Sequence, residues 1–570
     1  MRNQEIAKIF YEIAIYLEMN NENVFKVRAY EKAAQTIESM AEDIGELYKR
    51  GGNEALEEIP GVGKGISEKL EEFLKTEKIK FYEELKKKTP VDVSSLMGIE
   101  GMGPKKIKVL YQKLKIKNLE DMEKAAQSGK IRKISGFGEK TEQNILKGIG
   151  FAKKSGGRFL LGDVLPIAVE IEKQMASLPY VDKIIVAGSI RRRKETVGDA
   201  DILAVSKKPE KVMDYFVSMS EVARVYGKGR TKSMVKLKNG LDVDLRVVPA
   251  ESFGAALNYL TGSKDHNIAM RRIAISKGMK LSEYGVFKGK RQVAGKTEEE
   301  VYKILGLRYI EPELRENTGE IEAAKNKLPH VIAYDDLKGD LQVQTKWTDG
   351  SHSIEEMAQE AKKIGLEYIA ITDHTRSLAM TGGLDEKKLE KQGNEIDRVN
   401  KKVKDITVLK GAEVNIMKDG SLDIKDEALK KLDVVGASVH SLFSLPREEQ
   451  TGRIIKAMYN PHIDIIFHPT GRVIKRREPY DIDIEALIDG AKETGTVLEI
   501  NAYPDRLDLK DEHIKMAVKA GVKLCVDSDA HNKSHFRFLE FGIAQARRGW
   551  AEKKDVINAW PLEKMKEMLK

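Results

Sequence analysis

Residues 187–205 read AGSIRRRKETVGDADILAV, and this stretch decides how the rest of the chain is interpreted. A Gly-Ser turn follows an apolar run, and three arginines come directly after it. Asp199 and Asp201 alternate along the next strand, so their carboxylates point to the same face and can share metal ions. The turn and its arginines lie where a phosphate chain would be held. This combination predicts metal-dependent nucleotidyl transfer.

A second alternating strand, LDVDLRV at residues 241–247, supplies a further carboxylate. Nucleotidyl transfer needs charge neutralisation on a triphosphate and an activated 3′-hydroxyl, and two divalent ions about 3.5–4 Å apart supply both. A lone Asp-x-Asp is ordinarily a solvated strand face, but the turn, the arginines and the later aspartate together favour a site for Mg²⁺ or Mn²⁺. The predicted metal ligands are Asp199, Asp201 and Asp244, and the predicted phosphate-binding residues are Gly188, Ser189, Arg192 and Gly198.

Length and composition limit the class of protein. At 570 residues the chain should contain several domains, because single cores rarely grow past about 250–300 residues. The net charge of +9 fits a protein that meets a polyanion. Cys525 is the single cysteine, which excludes an internal disulfide and suits a reducing compartment. No long uncharged apolar run is present, and the first helix is amphipathic, so we expect a cytoplasmic protein. We also expect the protein to be monomeric.

An apolar residue two positions before a Gly-x-Gly recurs three times in the first 152 residues, each time ahead of a lysine-bearing helix. Glycine permits a tight hairpin, and the following helix aims free N–H groups at an anion. One copy would be an ordinary helix connector, whereas three copies resemble the helix-hairpin-helix module, which grips the DNA backbone without reading its sequence. The glycines predicted to contact DNA are Gly61, Gly63, Gly101, Gly103, Gly136 and Gly138.

Lys69 lies beside the apolar stripe of the helix that follows the first hairpin. A lysine that is partly desolvated beside other cations can have a lowered pKa and act as a Schiff-base nucleophile. Taken alone, a lysine on a helix surface is far more often a solvated charge. Both interpretations stay open on this evidence.

The segments 188–192, 198–201 and 244–246 resemble the palm of family X DNA polymerases, and residues 259–263 resemble that family's Tyr-Phe-Thr-Gly-Ser segment, with Leu260 at the aromatic position. The resemblance implies a template-directed polymerase that fills short gaps during base-excision repair, with gapped DNA and dNTPs as partners. It further implies nucleotide contacts by Tyr259, Thr261, Gly262, Asn267 and Arg271.

Residues 60–69 align without gaps with the deoxyribose-phosphate lyase motif of the same family. Lys69 falls on the Schiff-base lysine of that motif, which implies an additional lyase activity. Lys26, Tyr30 and Lys32 fall on neighbouring positions of the lyase domain and are predicted to bind DNA. A monovalent cation is a further expected ligand of the hairpins.

From Asp340 onward, seven short apolar runs alternate with amphipathic helices, which predicts a distorted (β/α)7 barrel. Histidines and carboxylates follow the ends of its strands, where barrel catalytic groups gather, and they suit a multinuclear Zn²⁺ or Mn²⁺ site. They resemble the PHP phosphoesterase domain that is attached to many family X polymerases, where three metals serve 3′–5′ exonuclease or related chemistry. The implied ligands form two complete sets, Glu413, His440 and His468 in one, and Asp349, His374 and His531 in the other.

The first strand of the barrel departs from that family. The family's motif is His-x-His or Gln-x-His, whereas this chain has Gln342-Val343-Gln344. An amide oxygen is a weaker ligand for zinc than an imidazole, so we expect the third metal, shared with Glu413 and Asp529, to be bound poorly. The hypothesis is a 3′–5′ exonuclease activity that is reduced or absent.

The predicted fold class is multidomain α and α/β. Its parts are a helical lyase-like domain (1–88), a helical subdomain with two hairpins (89–152), a nucleotidyltransferase palm (153–248), a nucleotide-selection subdomain (249–317), a loosely ordered linker (318–337) and the barrel (338–570). Two alternatives to the polymerase remain, a PHP-driven nuclease for 3′ ends or abasic sites with secondary polymerase activity, and a non-catalytic scaffold that binds DNA ends. The intact palm aspartates argue against the scaffold, and Gln344 argues against the nuclease.

Overall fold

The computed structural model describes residues 2–40, 43–59, 61–97, 99, 102–154, 157–378 and 381–570. The chain forms two compact units. The first contains Met1–Gly156 with the short segments Arg472–Pro479 and Asn532–His535, and the second contains the remaining residues. In the part of the chain that is described, every helix is too short or too polar to cross a lipid bilayer.

The first unit is helical and has one continuous apolar core, to which Phe10, Leu17, Leu70 and Leu110 contribute fully buried side chains. Its helices are α1 (Arg2–Met19), α2 (Val24–Ser39), α3 (Ile44–Glu57), α4 (Lys64–Thr76), α5 (Lys80–Lys88), α6 (Val93–Met97), α7 (Pro104–Leu114), α8 (Leu119–Gln127) and α9 (Glu139–Lys154). The amphipathic pattern of each helix explains this arrangement, because the apolar stripes can be buried only against one another.

The three Gly-x-Gly repeats form the same hairpin. In each, the backbone N–H after the first glycine donates to the carbonyl of the preceding apolar residue, at 2.9, 3.1 and 2.9 Å. Gly61 and Gly136 have φ values of 88° and 87°, which side chains disfavour. A helix begins directly after the second glycine of every repeat, and open space lies where a Cβ would project there. The predicted hairpins are therefore present; Gly101 lies outside the described residues.

The second unit begins with a mixed sheet in the order β2-β4-β7-β6-β5, in which β4 and β7 are parallel and the other neighbours are antiparallel. The elements of this region are β1 (Phe159–Leu160), α10 (Leu161–Ala176), β2 (Lys183–Val186), α11 (Gly188–Arg191), β3 (Thr196–Val197), β4 (Asp199–Val205), α12 (Pro209–Ser218), β5 (Val222–Lys228), β6 (Lys232–Leu237) and β7 (Asp242–Val248). The predicted mixed α/β region is thereby confirmed, and its central parallel pair carries the aspartates.

A small antiparallel sheet and four helices follow. These elements are α13 (Phe253–Thr261), α14 (Lys264–Ser276), β8 (Lys280–Ser282), β9 (Gly285–Lys288), β10 (Arg291–Ala294), α15 (Glu298–Ile304) and α16 (Glu320–Lys325). The expectation of a loosely ordered segment after Arg315 is wrong. Arg315 is fully buried, and Glu320, the first residue of α16, has its Oε1 2.7 Å from Nδ1 of His266. Apolar contacts also hold the segment, since Ala324 and Val331 are buried and Ile321 and Leu328 pack against the same core.

A buried ion network links this small region to the arginines after the Gly-Ser turn. Arg315 Nη1 lies 2.5 Å from Glu298 Oε1, and Arg191 Nη2 lies 2.6 Å from Glu298 Oε2. Burial alone would raise the pKa of Glu298, but the two guanidinium groups lower it to about 2. The carboxylate is therefore charged at every physiological pH.

Glu298→Gln is expected to lower the free energy of unfolding by about 3–5 kcal/mol, because it leaves a buried guanidinium without its counter-charge. The folded pKa of about 2 lies below the ordinary value of 4.5. The contribution of this carboxylate is thus complete above about pH 4.5 and is lost as the pH falls toward 2. Urea unfolding of the full chain at pH 7 and pH 3 measures both effects. Glu299→Gln, an exposed neighbour, is the control, and equal losses in the two variants would contradict the prediction.

The last region is a parallel barrel in which, among the residues described, seven strands pair in sequence order from β11 to β17. Backbone hydrogen bonds of Gln342 and Gln344 with Ala530, which lies just after the last strand, join the two ends of the series. The elements are β11 (Gly339–Val343), α17 (Ile354–Lys363), β12 (Tyr368–Ile371), α18 (Glu386–Lys402), β13 (Thr407–Asn415), α19 (Asp426–Leu429), β14 (Val434–Ser438), α20 (Arg447–Met458), β15 (Ile465–Ile466), α21 (Ile484–Thr494), β16 (Val497–Asn501), α22 (Asp511–Ala520), β17 (Leu524–Asp527), α23 (Leu539–Arg548) and α24 (Leu562–Lys566). The predicted seven-stranded barrel is confirmed.

Candidate functional site

Three carboxylates cluster on the central parallel pair of the mixed sheet. Asp201 on β4 lies directly opposite Asp244 on β7, and Asp199 lies two residues before Asp201 on the same face. Burial, together with the charges of Asp199 and Asp244, raises the pKa of Asp201 to about 7. Lys232 Nζ lies 3.0 Å from Asp244 Oδ2 and offsets part of this repulsion. An all-oxygen donor set with excess negative charge fits divalent cations.

The Gly-Ser turn lies against these carboxylates. Gly188 has a φ of 63°, and a Cβ at this position would lie 2.2 Å from Asp201 Oδ2. The backbone N–H of Ala187 donates to the carbonyl of Asp201 at 2.7 Å. Only glycine can therefore bring the turn this close to the aspartate. Ser189 lies in the first turn of α11, and Gly198 immediately precedes β4.

The three arginines after the turn have different partners. Arg191 pairs with Glu298, as described above, and Arg193 Nη2 lies 2.7 Å from Glu540 Oε1. Arg192 Nε lies 3.0 Å from Glu316 Oε1, and its Nη1 donates to the carbonyl of Thr261. Arg191 Nη1 also donates to Thr261 Oγ1 at 2.8 Å. The run is thus not one phosphate-binding group: Arg191 and Arg192 each contact Thr261 as well as a carboxylate, and Arg193 pairs with Glu540.

The structure brings the other predicted nucleotide-binding residues together. Asn267 Nδ2 donates to the carbonyl of Tyr259 at 2.7 Å, and both residues line a small surface pocket with Arg271. Thr261 is buried. A Cβ on Gly262 would lie 3.4 Å from Asn267 Nδ2 and 3.7 Å from Arg192 Nη1, so this glycine joins the pocket to the arginine.

In the helical unit, the predicted lyase residues converge on one aromatic ring. Lys69 Nζ and Lys26 Nζ each lie 5.2 Å from the centre of the Phe81 ring, and Tyr30 stacks on the same ring at 6.2 Å. Lys69 also donates to the carbonyl of Gly65 at 2.7 Å. Lys32 packs where a Cβ on the hairpin Gly61 would project, 3.0 Å from its Cγ. Phe81 was not found from the sequence, because one aromatic residue on an amphipathic helix gives no functional signal.

Glu413 is the centre of the histidine cluster in the barrel. Its Oε1 lies 2.9 Å from His468 Nε2 and 3.1 Å from His440 Nε2, and its Oε2 lies 3.3 Å from His374 Nδ1. Burial would raise the pKa of Glu413, but the neighbouring imidazoles hold it well below its ordinary value. His468 Nδ1 is buried without a hydrogen-bond partner among the residues described. This mixed nitrogen and oxygen set fits a transition-metal ion.

A second cluster shares His374. Asp349 Oδ2 lies 3.6 Å from His374 Nε2 and 3.6 Å from His531 Nε2. Burial works against protonation of His531, but Asp349 and Asp529 raise its pKa to about 9. Among the described residues, these three side chains form one candidate metal group, and His374, Glu413 and His440 form another. Two adjacent clusters linked by one histidine suit a pair of ions.

At the position predicted for the third metal ion, hydrogen-bond donors face the carboxylates. Gln342 Nε2 and Gln344 Nε2 donate to Glu413 Oε2 at 3.2 and 3.0 Å. The opposite orientation of the Gln344 amide would direct its oxygen at the carboxylate, and the two would repel each other. The orientation in which Nε2 faces Glu413 is therefore electrostatically favoured. Its Oε1 is buried without a hydrogen-bond partner among the described residues. These side chains direct N–H groups, and not lone pairs, at the carboxylate.

Two residues that sequence reasoning missed complete this arrangement. Asn501 Nδ2 donates to Gln342 Oε1 and to Asp529 Oδ2, both at 3.2 Å, and Arg506 Nε lies 3.7 Å from Asp529 Oδ2. Donors that already satisfy both carboxylates do not fit a third cation. Asn501 could have been found, because it ends strand β16 at the functional face. Arg506 follows in a loop, where no pattern marks it.

Family models match most of the chain. They are a helix-hairpin-helix domain at residues 1–79, a SAM-like helix-hairpin-helix tandem at 93–150, a DNA polymerase beta thumb at 256–316 and a PHP domain at 340–502. The two hairpin models lie within the helical unit, and the PHP model covers the barrel from β11 to β16.

Relatives of known description match either the whole chain or its barrel alone. The DNA polymerase/3′-5′ exonuclease PolX of Bacillus subtilis (strain 168) is 38% identical over 577 residues, which cover 100% of both chains. A probable phosphatase of Thermoanaerobacter sp. (strain X514) is 36% identical over 228 residues, 38% of this chain and 88% of that protein. A probable phosphatase of Caldicellulosiruptor bescii is 35% identical over 192 residues, 32% of this chain and 75% of that protein. The full-length match and the hairpin, thumb and PHP domains together show that the chain belongs to the family X DNA polymerases that carry a PHP domain.

Proposed function

We propose that the chain is a template-directed DNA polymerase that fills short gaps during DNA repair. The observation that carries this proposal is the cluster of Asp199, Asp201 and Asp244 against the Gly188 turn. A structural role would not explain why Asp199 and Asp244 lie close enough to the buried Asp201 for their charges to raise its pKa, beside a turn that only glycine can form.

In this proposal, Asp199, Asp201 and Asp244 would hold two Mg²⁺ or Mn²⁺ ions, with Asp244 among the ligands of the ion at the primer 3′-hydroxyl. Such ions, when bound, would neutralise the triphosphate and activate that hydroxyl. Asp244 would have to give up its contact with Lys232 to hold an ion. Two groups of residues would contact the nucleotide through their side chains or, at the glycines, through the backbone. The first would hold the β- and γ-phosphates, and the second the sugar and the minor-groove side of the nascent pair. The first group is Gly188, Ser189, Arg192 and Gly198, and the second is Tyr259, Thr261, Gly262, Asn267 and Arg271.

The test is extension of a primer across a one-nucleotide gap with a downstream 5′-phosphate, with Mg²⁺ or Mn²⁺ and the complementary dNTP, by the full-length protein and by its Asp244→Ala variant. Incorporation by the unchanged protein supports the proposal. Absence of extension with either ion would reject it.

The hairpins supply the DNA contacts. We infer that the glycines of the three repeats and the N–H groups of the helices that follow them bind backbone phosphates of gapped DNA, with a monovalent cation at the turns. Contacts of this type are independent of sequence and weaken as salt is raised. One polypeptide carries every part of the proposed site, so a monomer suffices.

Lys69 is proposed as the nucleophile of a deoxyribose-phosphate lyase, supported by its position with Lys26 over Phe81. Lys69→Ala is expected to remove the covalent adduct that borohydride traps on DNA carrying a 5′-deoxyribose phosphate, because only an amine forms the Schiff base. Gel electrophoresis of the trapped adduct measures this. Lys64→Ala, an exposed lysine at the start of the same helix, is the control and should keep the adduct. Equal trapping by all three proteins would exclude Lys69.

For the barrel, we propose a 3′–5′ exonuclease that holds two Zn²⁺ or Mn²⁺ ions and acts weakly. The two clusters described above supply the ligands, and Asp529 borders them. Bound ions would polarise a phosphodiester of the 3′ end. Amide groups donate hydrogen bonds to Glu413 and Asp529 where the third metal ion would bind. We therefore expect reduced activity.

A further inference from the structure

Helix α23 of the barrel ends in two consecutive arginines that are both nearly buried. Arg548 has a side chain that is 3% exposed, and its Nη1 donates to the backbone carbonyl of Arg192 at 2.9 Å. The same nitrogen lies 3.1 Å from Glu316 Oε1, and Nη2 lies 2.5 Å from Asp511 Oδ2. One guanidinium from the barrel thus contacts both the backbone and the ion-pair partner of the arginine after the Gly-Ser turn.

Glu316 is shared between the two arginines. Arg192 Nε lies 3.0 Å from the carboxylate oxygen that also faces Arg548, and Lys194 Nζ lies 3.9 Å from it. Burial would raise the pKa of Glu316, but the neighbouring cations hold it below its ordinary value. The carboxylate therefore stays charged and competes with any phosphate for Arg192. A second guanidinium on the same oxygen weakens that competition, because it takes up part of the negative charge.

We propose, on the basis of the polymerase function proposed above, that Arg548 is a positioning residue that holds Arg192 ready for the triphosphate of the incoming nucleotide. It does so in two ways. Its hydrogen bond to the carbonyl of Arg192 orients the backbone of the turn, and its contact with Glu316 leaves the Arg192 guanidinium available. The barrel is then a structural part of the nucleotide site, in addition to any chemistry of its own.

Loss of Arg548 changes nucleotide binding through both contacts in the same direction. Without it, the turn loses an orienting donor, and Glu316 pairs more strongly with Arg192. Arg548→Gln is expected to raise the KM for dNTP about tenfold, as the loss of a hydrogen bond to a charged group would, and to change kcat about twofold or less. The affinity for gapped DNA should not change, because Arg548 contacts the turn proposed to hold the triphosphate of the nucleotide and not the hairpins proposed to bind DNA.

Arg547 is a matched control on the same helix. Its side chain is 9% exposed, and its Nε lies 2.8 Å from Glu313 Oε1, while its Nη1 donates to the carbonyl of Ile332 at 2.8 Å. Arg547→Gln removes the same charge and a comparable set of buried contacts without touching the turn. It should therefore affect stability and leave the KM for dNTP within about twofold of the unchanged protein.

The experiment is steady-state gap filling by the full chain, with dNTP titrated at saturating gapped DNA, for the unchanged protein and for Arg548→Gln, Arg548→Lys and Arg547→Gln. Thermal unfolding and DNA affinity are measured on the same preparations. Lysine keeps the charge but offers a single point contact, so Arg548→Lys should recover part of the loss in KM. If Arg548→Gln does not fold, Arg548→Lys and Glu316→Gln provide the test. Glu316→Gln removes the carboxylate charge that pairs with Arg192, so it should lower the KM for dNTP.

The outcomes separate the two proposals. A rise in KM confined to the Arg548 variants supports the positioning role. Equal KM values for Arg548→Gln and Arg547→Gln, or a fall in kcat without a change in KM, would overturn it. Absence of gap filling by the unchanged protein would instead reject the polymerase function.

Discussion

Asp244→Ala is expected to lower the rate of gap filling about a thousandfold, which corresponds to about 4 kcal/mol of lost transition-state stabilisation. The change removes the carboxylate proposed to hold the ion at the primer hydroxyl. It should not destabilise the fold, because Asp244 is one of three carboxylates that repel one another, and its contact with Lys232 is partly exposed. Single-turnover extension and thermal unfolding of the same preparations measure both effects.

Asp242→Ala provides the matched control for this prediction. Asp242 lies two residues earlier on the same strand and pairs with Lys236 at 2.8 Å, as Asp244 pairs with Lys232. The control therefore removes a carboxylate and an ion pair without removing a proposed metal ligand. Comparable losses of activity in the two variants would show that surface charge, and not metal binding, explains the effect.

Gln344→His is expected to raise Mn²⁺-dependent degradation of a DNA 3′ end at least about tenfold, the scale on which a single change near a metal alters activity. The amide directs an N–H group at Glu413, whereas a neutral imidazole offers a lone pair and takes a metal between them. The substitution should also raise the bound metal from two ions to three per chain. Release of labelled nucleotides and elemental analysis of the dialysed protein measure the two changes.

Gln359→His, on the exposed face of helix α17, adds a histidine at a distance from the cluster and serves as the control. It should change neither the nuclease rate nor the metal content. The unchanged protein could instead show strong exonuclease activity that Gln344→His does not increase, with the same metal content in both proteins. That result would refute the inference that the amide groups of Gln342 and Gln344 prevent binding of a third metal ion.

Local patterns were enough to predict which carboxylates and histidines the fold brings together in the two proposed sites. The period of two along 199–201 places both aspartates on one face, and the register of parallel β4 and β7 then places Asp244 opposite Asp201. In the barrel, the histidines and carboxylates lie just after apolar strands, and the carboxyl ends of parallel strands meet at one face, so their convergence follows from position in the chain. The helical hairpins follow from glycine positions in the same way.

The sequence by itself therefore determined the modules, their order and the metal-ligand candidates of each site, because periodicity and turn chemistry act over a few residues. Only the tertiary structure decided which partner each charged side chain takes. It separates Arg191, Arg192 and Arg193, adjacent in sequence, among Glu298, Glu316 and Glu540. It also brings Arg548 to the turn from 356 residues away. Such pairings depend on burial and distance across the fold, and no local pattern encodes them.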